Sequence, residues 1–349
     1  MTMKNSVFSL FFILCILPGC QRAKEDIVLL DLTQMLTEKM YQNQDMPSLE
    51  LVSELQLDND VLLGGFPHLF YCSRDLYGIS DRNHLYFFRR SDGKLYSDLT
   101  HIGRGPSEYL YPMHVSVRDT VVCISDKPEI GKAIFYSTSG KYLRTDKIPV
   151  NSIYEFLDEN HYALLYDNRE DKSVEVYFNN GTLVRECSID NGPKNTSNTY
   201  VAVFQEVNGR LTVKPALRDT CYRISFSEDV PWMILEKGKL RIPDDYLTSF
   251  DAWSQNQDRY ITLESYIVSG NYVFVSFNYA NREHHEIWDL VENRIVFKSY
   301  LYEENIFSFG PKLETSREVI PFWPSSSFES NLYCVWGDES PRVIEVRVK

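Results

Sequence analysis

From residue 66 onward, short apolar runs alternate with polar turns, and the runs fall into sets of three or four. Three segments align: LYGISDRNHLYFFRRSDGKLYSDLT from Leu76, VVCISDKPEIGKAIFYSTSGKYLRTDKI from Val121 and YALLYDNREDKSVEVYFNNGTLVRECSI from Tyr162. Each begins with an apolar run ending in aspartate (Asp81, Asp126, Asp167), passes a polar turn to an aromatic-rich run, then a glycine turn and a third run. Apolar runs of this length bounded by turn residues predict strands. The turn glycines Gly93, Gly140 and Gly181 are spaced 47 and 41 residues apart. Fainter copies follow: LTVKPALRDTCYRIS leads to WMILEKGKLRI with Gly238, and YVFVSFNYANREHHEIWDLVENRIVFKSY has Asn293 at its turn. NLYCVWGDESPRVIEVRV ends the chain.

Meanders of three or four strands repeating every 40–50 residues or so are the pattern of propeller blades. Six units are predicted, at 66–108, 109–151, 152–196, 197–256, 257–313 and 314–349. The last is one strand short, and SLELVSELQL at 48–57 is a strand without a unit. It can complete the last blade and close the ring, hiding sheet edges that invite aggregation. The expectation is an all-β, six-bladed β-propeller closed by an N-terminal strand. Residues 27–46 begin as a strand and turn helical, and PDDYLTSFDAWSQNQD at 243–258 opens as a helix N-terminus does.

The N-terminus changes the picture. Lys4 precedes an apolar run at 7–17 that is too short to span a bilayer, and Leu-Pro-Gly-Cys follows at 17–20. A small residue before cysteine at the end of such a run resembles a bacterial lipobox, which implies cleavage before Cys20 and a diacylglycerol on its sulfur. An ordinary signal peptide or a short anchor is the alternative. Lys24-Glu25-Asp26 resembles the acidic signal that sends Bacteroidota lipoproteins to the cell surface. The domain reading is thus 1–19 signal, 20–47 tether and N-terminal segment, and 48–349 propeller. Without residues 1–19 the chain carries 35 basic and 49 acidic side chains, a balance of −14. That argues against nucleic acid as a partner. Cys72, Cys123, Cys187, Cys221 and Cys334 are odd in number and show no CxxC spacing, so neither a zinc site nor a disulfide framework is expected.

HIGRGPSEYLYP at 101–112 is the segment that most resembles a site. A phosphate loop needs a lysine and a hydroxyl residue opening a helix, whereas tyrosines, proline and a further strand follow these glycines. Gly-Pro recurs at 192–193 and 310–311, again where the chain crosses between units, so a turn with glycine-specific backbone angles is expected. GRGPSEY resembles the G-x-G-P-G-E-Y signature of the six-bladed propeller lipoproteins of Bacteroidota, related in shape to TolB and NHL propellers. Ser107 stands where that signature has its last glycine. The resemblance implies the fold over nearly the whole mature chain but no particular activity. Arg104, Glu108 and Tyr109 are the ligand candidates if this loop touches a ligand.

Asp81, Asp126 and Asp167 recur at one level of the repeat, with Asn278 and Asp338 as later equivalents. They form either a polar rim able to hold a ligand, or a divalent cation such as calcium, or a set of turn-starting side chains bonded to local backbone. The turn reading is preferred and no cofactor is expected. His284 and His285 are adjacent in a strand, so they face opposite ways and cannot readily share a metal. Tyr109, Tyr111, Trp253, Trp323 and Trp336 suit either sugar stacking or blade packing. The expectation is an outer-membrane lipoprotein, facing the periplasm or the cell surface, held to the membrane through Cys20. Its propeller binds a protein or a glycan and catalyses nothing. The alternatives are a propeller hydrolase or lyase with a metal at the central mouth, and an accessory subunit of a membrane complex.

Overall fold

The computed structural model describes residues 27–36, 46–64, 67–127, 129–166, 174–187, 189–190, 203–207, 210–215, 218–301, 310–337 and 340–349. Six four-stranded antiparallel meanders form a six-bladed propeller, as the repeat predicts. Blade 1 comprises His68–Cys72, Leu76–Asp81, His84–Arg89 and Leu95–Asp98, paired in that order. Blades 2 to 5 repeat the order from His114, Ser152, Val203 and Thr262, blade 4 ending with Asp229–Glu236. The first strands of neighbouring blades approach one another, which places them around the central axis. Blade 6 has Ser326–Phe328, Asn331–Trp336 and Arg342–Val348, and its outermost strand is the N-terminal Leu49–Gln56, antiparallel to Arg342–Val348.

The core lies between blades. Leu85 and Phe87 of blade 1 pack on Ile124, Ile134 and Tyr136 of blade 2. Flat aromatic chains fill these wedges, as where Phe135 meets Tyr154 edge-on at 5.2 Å across blades 2 and 3. The glycine turns behave as the sequence requires: Gly93, Gly140 and Gly181 take φ of 70°, 86° and 83°, and Asn293 takes 49°. Gly238 differs. It lies in a short 3-10 helix beyond the last strand of blade 4, and the hairpin turn of that blade is held by the Ser225 hydroxyl, which accepts from Ser227 N and Glu228 N. A hydroxyl-capped turn has no glycine to mark it.

Two additions decorate the ring. Val28–Asp31 lies parallel to Asp229–Glu236 as a fifth strand on the outer edge of blade 4, followed by a 3-10 turn at Leu32–Leu36. Sequence shows that strand but not its partner. Short helices at Asp244–Leu247 and Phe250–Ser254 form the insertion between blades 4 and 5. Among the described residues no helix is long and apolar enough to cross a membrane. Cys72, Cys123, Cys221 and Cys334 are buried free thiols, and burial pushes Cys72, Cys221 and Cys334 up to about 12.

Candidate functional site at the blade-crossing face

In each blade the end of the fourth strand, the start of the first and the turn between the second and third lie at one end of the ring. This face carries the 101–112 loop and, of the recurrent aspartates, Asp81 and Asp126. The loop is closed by backbone: Tyr109 N donates to His101 O at 2.9 Å and Gly103 N to Tyr109 O at 3.0 Å. Glu108 folds back so that Gly105 N donates to its Oε2 at 2.7 Å. A Cβ on Gly103 would fall on that same carboxylate. Neither Gly103 nor Gly105 has a left-handed φ. Glycine is therefore required by close approach and not by backbone angle, correcting the reason expected from sequence. Ser107 also avoids the left-handed region, so serine fits where the signature has glycine.

Blade 2 clamps the loop. Lys132 Nζ donates to Gly105 O at 2.7 Å and to Glu108 O, Tyr136 donates to Ser107 O, and Thr145 Oγ1 donates to Pro106 O at 2.6 Å. The His101 ring stacks on Tyr136 at 5.3 Å. Tyr109 is fully buried, its hydroxyl 2.9 Å from Asn83 O, and burial raises its phenol pKa. Of the three ligand candidates in this loop, Arg104 is exposed, Glu108 is half-buried and Tyr109 is interior.

The aspartates staple crossings to blades. Asp126 is 2 % exposed, and its Oδ1 accepts from Leu110 N and Tyr111 N at 3.0 Å and from Lys127 N at 2.8 Å. Asp81, also buried, accepts from Gly64 N in the crossing that enters blade 1. Asp167 and Asp338 lie outside the described residues, and Asn278 pairs with Thr262 inside blade 5. Asp81 and Asp126 are thus not brought together. Among the described residues no group of three or more His, Cys, Asp or Glu is placed to hold a metal ion. His284 stacks on Phe277 and His285 on Trp323, which belong to different interblade cores, so the two imidazoles face opposite ways. Of the singled-out aromatics, Trp253 packs on Ile242 and Leu247, Trp323 and Trp336 join the blade 5–6 core, and Tyr111 is exposed.

Sequence reasoning missed a buried charge network between blades 4 and 5. Lys214 Nζ and Lys237 Nζ lie 2.9 and 2.7 Å from the two oxygens of Glu264, and Lys237 also meets Asp219 at 2.8 Å. Burial alone would raise the Glu264 pKa, but the two ammonium groups bring it down to about 2. A bulge after Thr262 aims this carboxylate into the interface and leaves Leu263 exposed with φ of 55°. No local spacing announces such a set, because its members sit on separate strands. Glu264 is thus a charged strut held on both oxygens by lysines. Beside it, Gly238, Lys239, Arg241, Pro243 and Asp244 line an open polar cleft of about 410 Å³. Arg218 holds the Asp244 carboxylate through both its terminal nitrogens, at 2.9 and 3.3 Å.

Around the axis, His114 Nε2 donates to Glu155, whose Oε1 accepts from Ser116 at 2.7 Å. Gln205 of blade 4 accepts from Val268 N of blade 5 at 3.2 Å and donates to Ser327 of blade 6 at 2.7 Å, bridging three blades.

Fold and site together define a six-bladed propeller whose crossing face is an interlocked scaffold of capped loops. The chain belongs to a family known as a domain of unknown function, DUF4934, whose model matches residues 51–344. Its fold resembles that of a Bacteroides fragilis protein described as exported, with a TM-score of 0.64 at 17 % identity, covering 93 % of this chain and all of the other. A DUF4221 member from Bacteroides vulgatus matches with a TM-score of 0.52 at 9 % identity, over 88 % of this chain and 99 % of the other. No curated protein matches the chain.

Proposed function

We propose that the protein is a lipoprotein of the cell envelope whose propeller binds a protein partner through its crossing face and carries out no reaction of its own. A contrast on that face carries the reading. There Lys132 and the carboxylates of Asp81, Glu108 and Asp126 are bonded to backbone, whereas apolar side chains stand out from the surface. Leu62 is 89 % exposed, and Ile102, Tyr111, Ile130 and Val150 are each exposed by about two-fifths to a half. Asp126 holds Tyr111 beside the turn that carries Ile130, and Ile148 N donates to Gly131 O, which brings in the crossing with Val150. A set of exposed apolar residues on a rigid rim is a surface suited to a partner. Its largely aliphatic content favours a protein over a glycan. The apolar run ending at Cys20 supports anchoring there, and the likeness to a protein described as exported supports the envelope location.

Crosslinking of the lipidated protein in intact cells tests this reading. One envelope protein should dominate the captured material, and Ile130→Asp with Val150→Asp should lower its capture at least tenfold. Capture unaffected by these changes, or no dominant partner, overturns the reading and directs the search to glycans and metals.

A further inference from the structure

At the opposite end of the ring, where blades 3 and 4 meet, a second set of apolar side chains stands in solvent. Phe178 and Leu183 flank the last turn of blade 3, and Phe226 tips the matching turn of blade 4, with exposures of 42, 44 and 52 %. The His161 ring sits between the phenylalanines, 4.7 Å from Phe178 and stacked on Phe226 at 5.3 Å. Arg185 of blade 3 locks the two turns together, donating to Phe226 O at 3.1 Å and pairing with Asp229 at 2.6 Å. The patch is rigid.

The chain enters the fold close by. Ile27 and Leu29 are about half exposed, and Val28 pairs with Met233, four residues along the strand that starts at Asp229 beside Phe226. At a strand's rise per residue, that entry lies roughly 13 Å along the strand from Asp229. Cys20 precedes Ile27 by seven residues. Even a fully extended chain therefore keeps Cys20 within about 25 Å of Ile27.

We propose that this corner of blades 3 and 4 seats on the bilayer surface, with Phe178, Leu183 and Phe226 entering the interfacial layer and the crossing face turned away from the membrane. The proposal rests on the reading of Cys20 as the lipid anchor. The chemistry favours lipid through apolar insertion, since aromatic side chains settle at the level of the headgroups. Beside the exposed phenylalanines, Arg185 is engaged on Asp229 and Arg223 lies over the Trp232 ring at 4.9 Å. Attraction to anionic headgroups is then a minor force, and seating should be insensitive to salt.

The test uses the full lipidated protein in vesicles of phosphatidylethanolamine and phosphatidylglycerol. An environment-sensitive fluorophore is placed at Phe226→Cys or, as a second variant, at Leu183→Cys, with Leu62→Cys on the crossing face as the reference. Probes at 226 and 183 should shift to the blue and be quenched several-fold more strongly than the probe at 62 by lipids carrying shallow spin labels. The same result is expected at low and high salt. Mass spectrometry of the N-terminal peptide from the same sample reports the anchor. A lipid on Cys20 with water-like emission at 226 and 183 overturns the seating proposal and leaves the anchor standing. An unmodified Cys20 overturns the anchor reading, and the seating proposal falls with it.

Discussion

Glu264 and Glu286 are fully buried carboxylates of one blade with opposite electrostatic fates. Glu264 lies between two ammonium groups and is held down to about 2. A depressed carboxylate contributes stability above its unfolded pKa, near 4.5, and loses it as pH falls toward the folded value. Glu264→Ala leaves Lys214 buried without its carboxylate, so urea unfolding at pH 7 should show a loss of about 3–5 kcal/mol. The difference from the parent should shrink as pH is lowered below 4. Glu286 has only the Trp288 indole donating to Oε2 at 2.7 Å, and its Oε1 has no hydrogen-bond partner. Burial pushes it up to about 8, against the opposing pull of Lys298. The folded state then holds a proton that the unfolded state releases. Stability is present below about 4.5 and declines as pH rises through 8, by about 1.4 kcal/mol per unit within that window. Glu286→Gln keeps an acceptor for Trp288 and removes this dependence. Its melting temperature should match the parent at pH 4 and exceed it by several degrees at pH 8.

Among elements, the 101–112 loop shows how a motif can be read correctly as a turn while its cause stays hidden. The string GRGPSEY marks a blade crossing, and its position between strands excludes a phosphate loop. That Gly103 makes room for the Glu108 carboxylate is a packing fact with no trace in local sequence. Gly103→Ala should cost about 1–3 kcal/mol, because the carboxylate must leave Gly105 N. In the Gly103→Ala background, Glu108→Ala should cost less than it does alone, and a double-mutant cycle measured by chemical denaturation reads that coupling. The hairpin turns were legible for the opposite reason. A positive φ favours glycine or asparagine whatever surrounds it, so Gly93, Gly140, Gly181 and Asn293 declared themselves. Gly238 misled because blade 4 makes its turn with Ser225 instead.

The whole molecule depends on a closure between residues from both ends of the chain. Glu345, near the C-terminus, meets Arg90 of blade 1 through both oxygens at 2.7 Å and accepts from Ser53 of the closing strand at 2.8 Å. The Arg90 guanidinium lies over the Tyr77 and Tyr333 rings at 5.4 and 5.8 Å. Burial opposes the Glu345 charge, but the Ser53, Arg90 and Tyr333 contacts hold its pKa below the usual range. Arg90→Ala strands that carboxylate and should lower stability by about 3 kcal/mol in denaturant unfolding. Removing residues 46–57 exposes the edge of Arg342–Val348, and calorimetry with size-exclusion chromatography should show loss of the cooperative transition together with aggregation.

The sequence by itself determined the repeat, the six blades, the closing strand and most hairpin turns. Each of these follows from chain-local physics: the alternation of apolar runs and turns, and the few residues that tolerate a left-handed backbone. Only the tertiary structure decided which charged groups meet, because Lys214, Lys237 and Glu264 come from different strands and converge across an interface between blades. It alone turned Asp126 into a staple for Leu110 and Tyr111, set Val28–Asp31 on blade 4, and brought Phe178 and Phe226 to one corner. Such pairings depend on how blades stack around an axis, and a pattern read along one strand carries no record of its neighbour in the next blade.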